Sequence, residues 1–600
     1  HGRNVAIGVQ SLFALNAGAD AYNVAVGFNS GGAMTTGVQN TIVGGLAGDA
    51  LTTGSYNIAI GHAALTTEDV GSKSTAIGYN ALAAQNVDGD VLNTAVGYFA
   101  GKSTTTGNVN TLVGGLSGQS LTEGNSNVGI GYGTLSAETL GDRNVAIGVN
   151  ALNAQNNTSD VDAYNVAIGF QAGTLITTGT ANTLMGGLAG DALTTGIDNV
   201  ALGFNALTTE DTGSRNVAIG RDALRDFNFD GSGYNVAVGH NAGLTMTTGK
   251  ESVIVGGLAG DAITTGTRNT LIGYTAGGAL VEGGSNVAVG FQALLSETAH
   301  GANTAIGYNT LTVQNAGANA FNVAVGYNAG VSVTTGVQNT LIGSQAGDSL
   351  TTGTKNVAIG FEALATEDAH GFNVAVGHRA LKTQNAGASA YNTALGYNAG
   401  LNVTTGTNNT IIGGLAGEQM TTAAHNVAIG YNAMTAVTEG NTNIAIGRDA
   451  LATNTVGDRN VAIGHEALMT MNPSSDSDNY NVAVGYNAGK AVTTGTKNTL
   501  IGGTAGDALT TGINNTAVGY DALSTSVDGD LNTAIGYLAL RVYEDGDGNG
   551  NNTAVGANSQ SAATTGEFNT SLGSLSMGTG VTTGNENVAL GYSAGNNLTS

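Results

Sequence analysis

Two short acidic segments carry the spacing of a divalent-cation loop. Asp226-Phe227-Asn228-Phe229-Asp230-Gly231 and Asp545-Gly546-Asp547-Gly548-Asn549-Gly550 both follow the first half of the pattern D-x-[DN]-x-[DN]-G. Carboxylate and amide oxygens at alternate positions of a glycine turn can wrap a hard cation such as calcium, which takes several oxygen ligands at once. The ligating set would be Asp226, Asn228 and Asp230 in one segment, and Asp545, Asp547 and Asn549 in the other. Neither segment carries the closing Glu at the expected distance. Asp, Asn and Gly also populate turns for conformational reasons alone, so both segments read as turns first and calcium sites second.

Other chemistry-bearing residues fall into patterns that point away from catalysis. Gly44-Gly45-Leu46-Ala47-Gly48-Asp49-Ala50-Leu51 approaches the glycine-rich repeat of calcium β-rolls, with Ala47 where a glycine belongs. It recurs too sparsely to assemble half-sites from adjacent coils. His62, His240, His378 and His465 all follow a glycine, at a position where Tyr or Phe is common. They read as members of a surface aromatic column, not as metal ligands. Carboxylate pairs such as Glu68-Asp69 and Glu210-Asp211 are adjacent in the chain, whereas a glycosidase needs two positioned carboxyls across a groove; a solvated turn is expected there. No Ser recurs with a His as a nucleophile and base would. The glycine runs lack the Lys of a phosphate loop. No enzymatic activity is expected.

Composition narrows the setting. Of 600 residues, 97 are Gly, one is Pro, none is Cys or Trp, and only 10% are charged against 41% hydrophobic. That balance excludes disorder, which needs low hydrophobicity and dense charge, and the scarcity of proline excludes collagen. A net charge of −25 repels nucleic acid and anionic membrane surfaces and favours divalent cations. No apolar run is long enough to span a bilayer as a helix.

The elements that position these residues are set by repetition. The core N-[VT]-A-[IVL]-G, first seen as Asn4-Val5-Ala6-Ile7-Gly8, recurs 34 times, with Ser74 and Ser252 replacing Asn and Gly invariant at the fifth place. The commonest spacing is 17 residues, too short for paired-helix repeats. The core reads as a short strand, with its first and third side chains on one face as a core stripe and Ala on the other. The Gly permits a turn that other residues would strain. A second short segment of the Tyr79-Asn80-Ala81-Leu82 type reads as another strand, and Thr-Thr-Gly turns such as Thr35-Thr36-Gly37 close many coils. Stacking satisfies the unpaired backbone edges, and the aligned Asn side chains are expected to form an amide ladder. The expected fold is therefore all-β: one parallel β-solenoid or β-roll over residues 1–600, some 160 Å long at about 4.8 Å per coil.

A longer period lies above the first. Elongated coils end in Tyr22, Leu92, Tyr164, Tyr234, Phe321, Tyr391 and Tyr480, and cassettes of four or five coils begin near 23, 93, 165, 235, 322, 392, 481 and 552. The start at His1 and the end partway through a coil suggest a fragment of a longer repeat protein.

The Asn-Val-Ala-Ile-Gly core resembles the head repeats of trimeric autotransporter adhesins, the YadA-like β-roll, which occur also in phage tail fibres. The resemblance covers essentially the whole chain, although the family's usual coil is shorter than 17 residues. It implies a left-handed roll, a homotrimer, an extracellular position on a microbial cell surface, and adhesion to a host or neighbouring cell. Ala opposite the aliphatic face would let two backbones approach closely, or would simply face a tight roll interior. A phage tail fibre is the alternative, and an ice-binding solenoid built on the Thr-Thr-Gly turns a remote one.

Overall fold

A computed structural model of the chain describes residues 2–544 and 549–599. Its regular elements are strands alone. Every N-x-A-x-G core forms a three-residue strand, from Val5–Ile7 to Val588–Leu590. The chain divides into two compact units, His1–Gly301 and Ala302–Ser600. In each, successive cores pair in parallel and in register, Val24 opposite Thr41 in the first and Val323 opposite Thr340 in the second. Each unit is a parallel β-solenoid with about 17 residues per turn.

The invariant glycine is fixed by two independent demands. At Gly61 φ is +135°, a region that side chains with a Cβ rarely enter, and an added Cβ would lie 2.3 Å from the Gly78 carbonyl oxygen. The Asn has two tasks at once. Asn40 Nδ2 donates to the Gly54 carbonyl, 14 residues on in the same coil, at 3.0 Å. Its Oδ1 accepts the backbone N–H of Asn57 in the next coil at 2.8 Å. The ladder thus runs mainly between amide side chains and backbone, with occasional side-chain pairs such as Asn40 Nδ2 to Asn23 Oδ1 at 3.2 Å. Aspartate lacks the donor and would leave a turn carbonyl unbonded inside the coil.

The inside and outside of the core strand are the reverse of the expectation. The middle residue (Ala25, Ala59, Ala76, or Ile42 and Leu112 where space allows) is fully buried, while the first and third residues face outward and are partly or fully exposed. Ala therefore faces the roll interior and offers no surface on which two backbones could meet. A coil of 17 residues encloses little volume, so the inward β-position takes a methyl in most coils. The apolar bulk comes instead from Leu65, Leu82 and Met34 on the remaining turns. The second segment is not a strand. Asn80 and Leu82 have φ of +53° and +49°, on either side of Ala81, and this alternation makes a compact corner. Its backbone still bonds to the next coil, as in Leu65 N–H to the Ala81 carbonyl at 3.0 Å.

The first Thr of most Thr-Thr-Gly turns is likewise engaged. Thr35 Oγ1 donates to the Thr52 carbonyl at 3.2 Å, and Thr404 Oγ1 to the Thr421 carbonyl at 3.1 Å. Among the described residues no helix is long and apolar enough to cross a membrane.

Candidate functional site

Two columns of side chains, one buried and one exposed, carry what chemistry the coils have. The buried column sits six residues before the next core's Asn or Ser, in the coil preceding each elongated one. Glu68, Glu138, Glu210, Glu297 and Glu367 occupy it, and all five are fully buried; Asn454 and Ser526 take the place in later cassettes. The expectation of a solvated turn at Glu68-Asp69 and Glu210-Asp211 is therefore corrected for the Glu of each pair, while the Asp stays at the surface. The Glu folds back onto its own turn because the turn presents unbonded N–H groups. Gly71 N–H donates to Glu68 Oε1 at 2.6 Å, and Gln85 Nε2 to Glu68 Oε2 at 3.0 Å. At Glu210, burial pushes the carboxyl above the ordinary Glu range, opposed by N–H donors from Phe229 and Gly213. Such a carboxylate is consumed by its own turn and presents nothing to a substrate.

The exposed column follows the invariant glycine. Tyr79, Tyr98, Tyr327, Tyr397, Tyr431 and Tyr486 are each exposed, and neighbouring rings stack on one another. Tyr79 lies 5.6 Å from Tyr98, and Tyr308 lies 5.4 Å from Tyr327 with an interplanar angle of 11°. The histidines fall in this column: His62 stacks on Tyr79 at 5.4 Å, and His378 lies between Phe361 and Tyr397 at 5.4 and 5.3 Å. Beside it run the outward residues of the strands, including Ile58, Ile130 and Leu395. An exposed apolar band of this kind, interrupted at positions such as Gly45 and Arg221, marks a surface that contacts something other than water.

The aromatic before each elongated coil's successor belongs to a second column. There Arg3, Arg215 and Arg459 lie over Tyr22, Tyr234 and Tyr480 at 5.4, 5.8 and 5.6 Å. Arg143 and Arg459 also pair closely with Asp162 and Asp478.

The loop at Asp226 is held by protein partners. Arg225 grips Asp226 with two hydrogen bonds of 2.7 and 2.8 Å, Phe227 is fully buried, and Asp230 accepts the Thr212 hydroxyl at 2.7 Å. Asn228 is exposed, its N–H bonded to the Thr247 carbonyl at 2.8 Å. A cation drawn to Asp226 would compete with a guanidinium already in place. Asp545 and Asp547 lie outside the described residues, and Asn549 is exposed. Among the described residues one trio could converge on a metal, Glu367, Asp368 and His370, with ligand atoms within 4.8 Å. No spacing motif marks it in the sequence; the signal was the recurrence of Glu six residues before the next core. His370 Nδ1 lies 3.1 Å from Glu367 Oε1.

Among the described residues no enclosed pocket forms. No protein-family model matches the chain, and no curated protein matches it.

Proposed function

We propose that this chain is a structural and adhesive segment of an extracellular fibre at a microbial cell surface, with contact rather than catalysis as its task. One observation carries the reading: an outward row of strand side chains, aliphatic or Thr, recurs coil after coil, with a ring after the invariant glycine in most coils. Architecture repeated so uniformly makes a ligand-binding surface by periodicity, because each coil adds one more copy of the contact. The burial of the Glu column and the absence of an enclosed pocket among the described residues fit a non-enzymatic role. The first Thr of most closing turns donates to backbone, which weighs against a water-ordering Thr plane.

Self-association belongs to the same reading. With Ala turned inward, the outward strand residues such as Val24, Val26, Ile58 and Ile60 are the surface on which copies would pack, and a homotrimer is the proposed assembly. Light scattering on the purified chain tests it. A mass near three times 59.2 kDa is expected; a folded monomer at micromolar concentration removes the trimer. Adhesion is tested separately, by retention of the labelled chain on microbial and host cell layers.

A further inference from the structure

The aromatic column has a missing rung in each full cassette. In the second coil of the cassette, the ring position is held by Gly45, Gly115, Gly187, Gly257, Gly414 and Gly503, with Ser344 in the remaining cassette. The glycine beside each of these has a backbone reason to be glycine: Gly413 has φ +135° and would drive a Cβ to 2.4 Å from the Gly430 carbonyl oxygen. Gly414 has no such reason. Its φ is not in the left-handed region, and an added Cβ would meet only the Tyr431 ring edge at 3.6 Å, an ordinary contact. The same holds at Gly45, Gly115, Gly187 and Gly257, where the ring of the following coil lies 3.5 to 3.8 Å away. Neither turn geometry nor crowding selects glycine here. What glycine leaves is an opening one ring deep.

The walls of each opening are rings: Phe28 and His62, Tyr98 and Tyr132, Phe170 and Phe204, Tyr397 and Tyr431, Tyr486 and Tyr520 for five of them. They stand two coils apart, roughly 10 Å at the spacing of parallel strands. Where the ladder is unbroken, adjacent rings stack at 5.3 to 5.9 Å. One flat ring inserted at the opening therefore restores the stack. Polar capacity stands beside it. Asn398 directly follows the wall residue Tyr397 and is 8% exposed; its Nδ2 donates to Glu418 Oε1 at 3.1 Å, and its buried Oδ1 has no partner. Asn487, after Tyr486, also has a buried Oδ1 without a partner.

We propose that each opening takes one pyranose ring of a neutral polysaccharide, stacked between the two walls. The electron-rich ring faces attract the partly positive C–H groups of a sugar face. Anionic ligands are disfavoured by the chain's charge of −25. Recurrence lets openings that are weak singly hold a long polymer by avidity. This deepens the adhesive reading and rests on it.

The test uses the full chain and its depletion from solution by insoluble cellulose, chitin and starch. At least one of the three is expected to bind it. Filling four openings (G115Y, G187Y, G257Y and G414Y together) is expected to cut binding at least tenfold while far-UV circular dichroism and the melting temperature hold or rise. Removing walls (Y132A, F204A, Y274A and Y431A together) is expected to cut it similarly. Undiminished binding by the filled chain overturns the proposal, as does failure of the native chain to bind any of the three. Capture of an aromatic-rich protein coat without any polysaccharide overturns it too, assigning the openings to protein rings. A trimeric chain that adheres to cells yet binds no polysaccharide loses this inference alone; a monomer that does neither loses the adhesive reading as well.

Discussion

The turns at Glu138 and Glu367 occupy the same place in two cassettes, and both bury a carboxylate completely. They differ in what the carboxylate meets. Glu138 Oε1 accepts N–H groups from Thr139, Leu140 and Gly141 at 2.9, 3.1 and 2.8 Å and from Asn157 at 3.2 Å, while Oε2 accepts Asn157 Nδ2 at 3.1 Å. Glu367 Oε1 receives the His370 N–H at 3.1 Å and faces the His370 ring, but Oε2 has no partner, and neither does Gln384 Nε2. In the first cassette the equivalent pair, Gln85 and Glu68, is joined at 3.0 Å. One fold position thus holds a saturated charge and a half-satisfied one. The backbone of the turn is what calls for an acceptor; the charge is secondary, which is why Asn454 can serve in its place, with Gly457 N–H donating to its Oδ1 at 2.8 Å.

The largest effect is expected where the carboxylate is saturated. Glu138→Ala strands several buried donors together, at a cost of about 3 kcal/mol or more. Because each coil bonds only to its neighbours, the loss should be local: hydrogen exchange at Thr139, Leu140 and Gly141 should accelerate by orders of magnitude while distant coils keep their protection. Uniform loss of protection along the chain would show that the coils do not act as neighbour-coupled units.

The comparison sharpens with the conservative change. Glu138→Gln turns an acceptor toward Asn157 Nδ2 into a donor and should cost about 1 kcal/mol. Glu367→Gln removes a buried charge whose second oxygen bonds to nothing, so its urea midpoint should match or slightly exceed the native one. Equal losses at both sites would mean that the unpartnered oxygen of Glu367 is satisfied in solution.

Little of this contrast was legible in the sequence, and the reasons are physical. Asn and Gly announced themselves because each answers demands that no other residue meets, so the solenoid and its period could be read directly. The sides of the core strand could not, since three residues with apolar groups on both faces give alternation nothing to distinguish; only the small interior of the coil decides that Ala25 turns in and Val24 and Val26 turn out. Glu68 looked solvated because carboxylates usually are, and the N–H groups that bury it belong to its own turn, whose shape depends on the coil being closed. Tyr79-Asn80-Ala81-Leu82 looked like a strand because composition does not reveal alternating signs of φ.

A smaller effect concerns pH. Burial raises the carboxyls of Glu210, Asp261, Asp348, Asp458 and Asp507 above their ordinary ranges, whereas Glu362 is lowered, first by its hydrogen bond from Lys382 and then by Arg379. A raised folded-state pKa means that the folded chain holds its proton more tightly than the unfolded one. That stability is present below the unfolded value and is lost as pH rises through the folded one. The melting temperature should therefore climb by a few degrees on acidification from neutral pH toward the carboxylate range, helped by the falling negative charge. Glu210→Gln should flatten part of the rise, and a monotonic fall on acidification would contradict the burial of these groups.

The smallest effect is expected from calcium. Asp226 is already paired with the Arg225 guanidinium, and Asp230 accepts a hydroxyl hydrogen bond, so a chelator should move the melting temperature by less than about 1 °C, the scale of an exposed ion pair. Replacing the arginine separates the two ways in which that loop could hold its charge. Arg225→Ala frees Asp226, and the freed carboxylate should then gain a measurable calcium response that the native chain lacks. If native chain and variant respond alike and strongly, the cation enters without displacing the guanidinium, and the loop is a calcium site in its own right; if neither responds, the alternating acids serve only the turn.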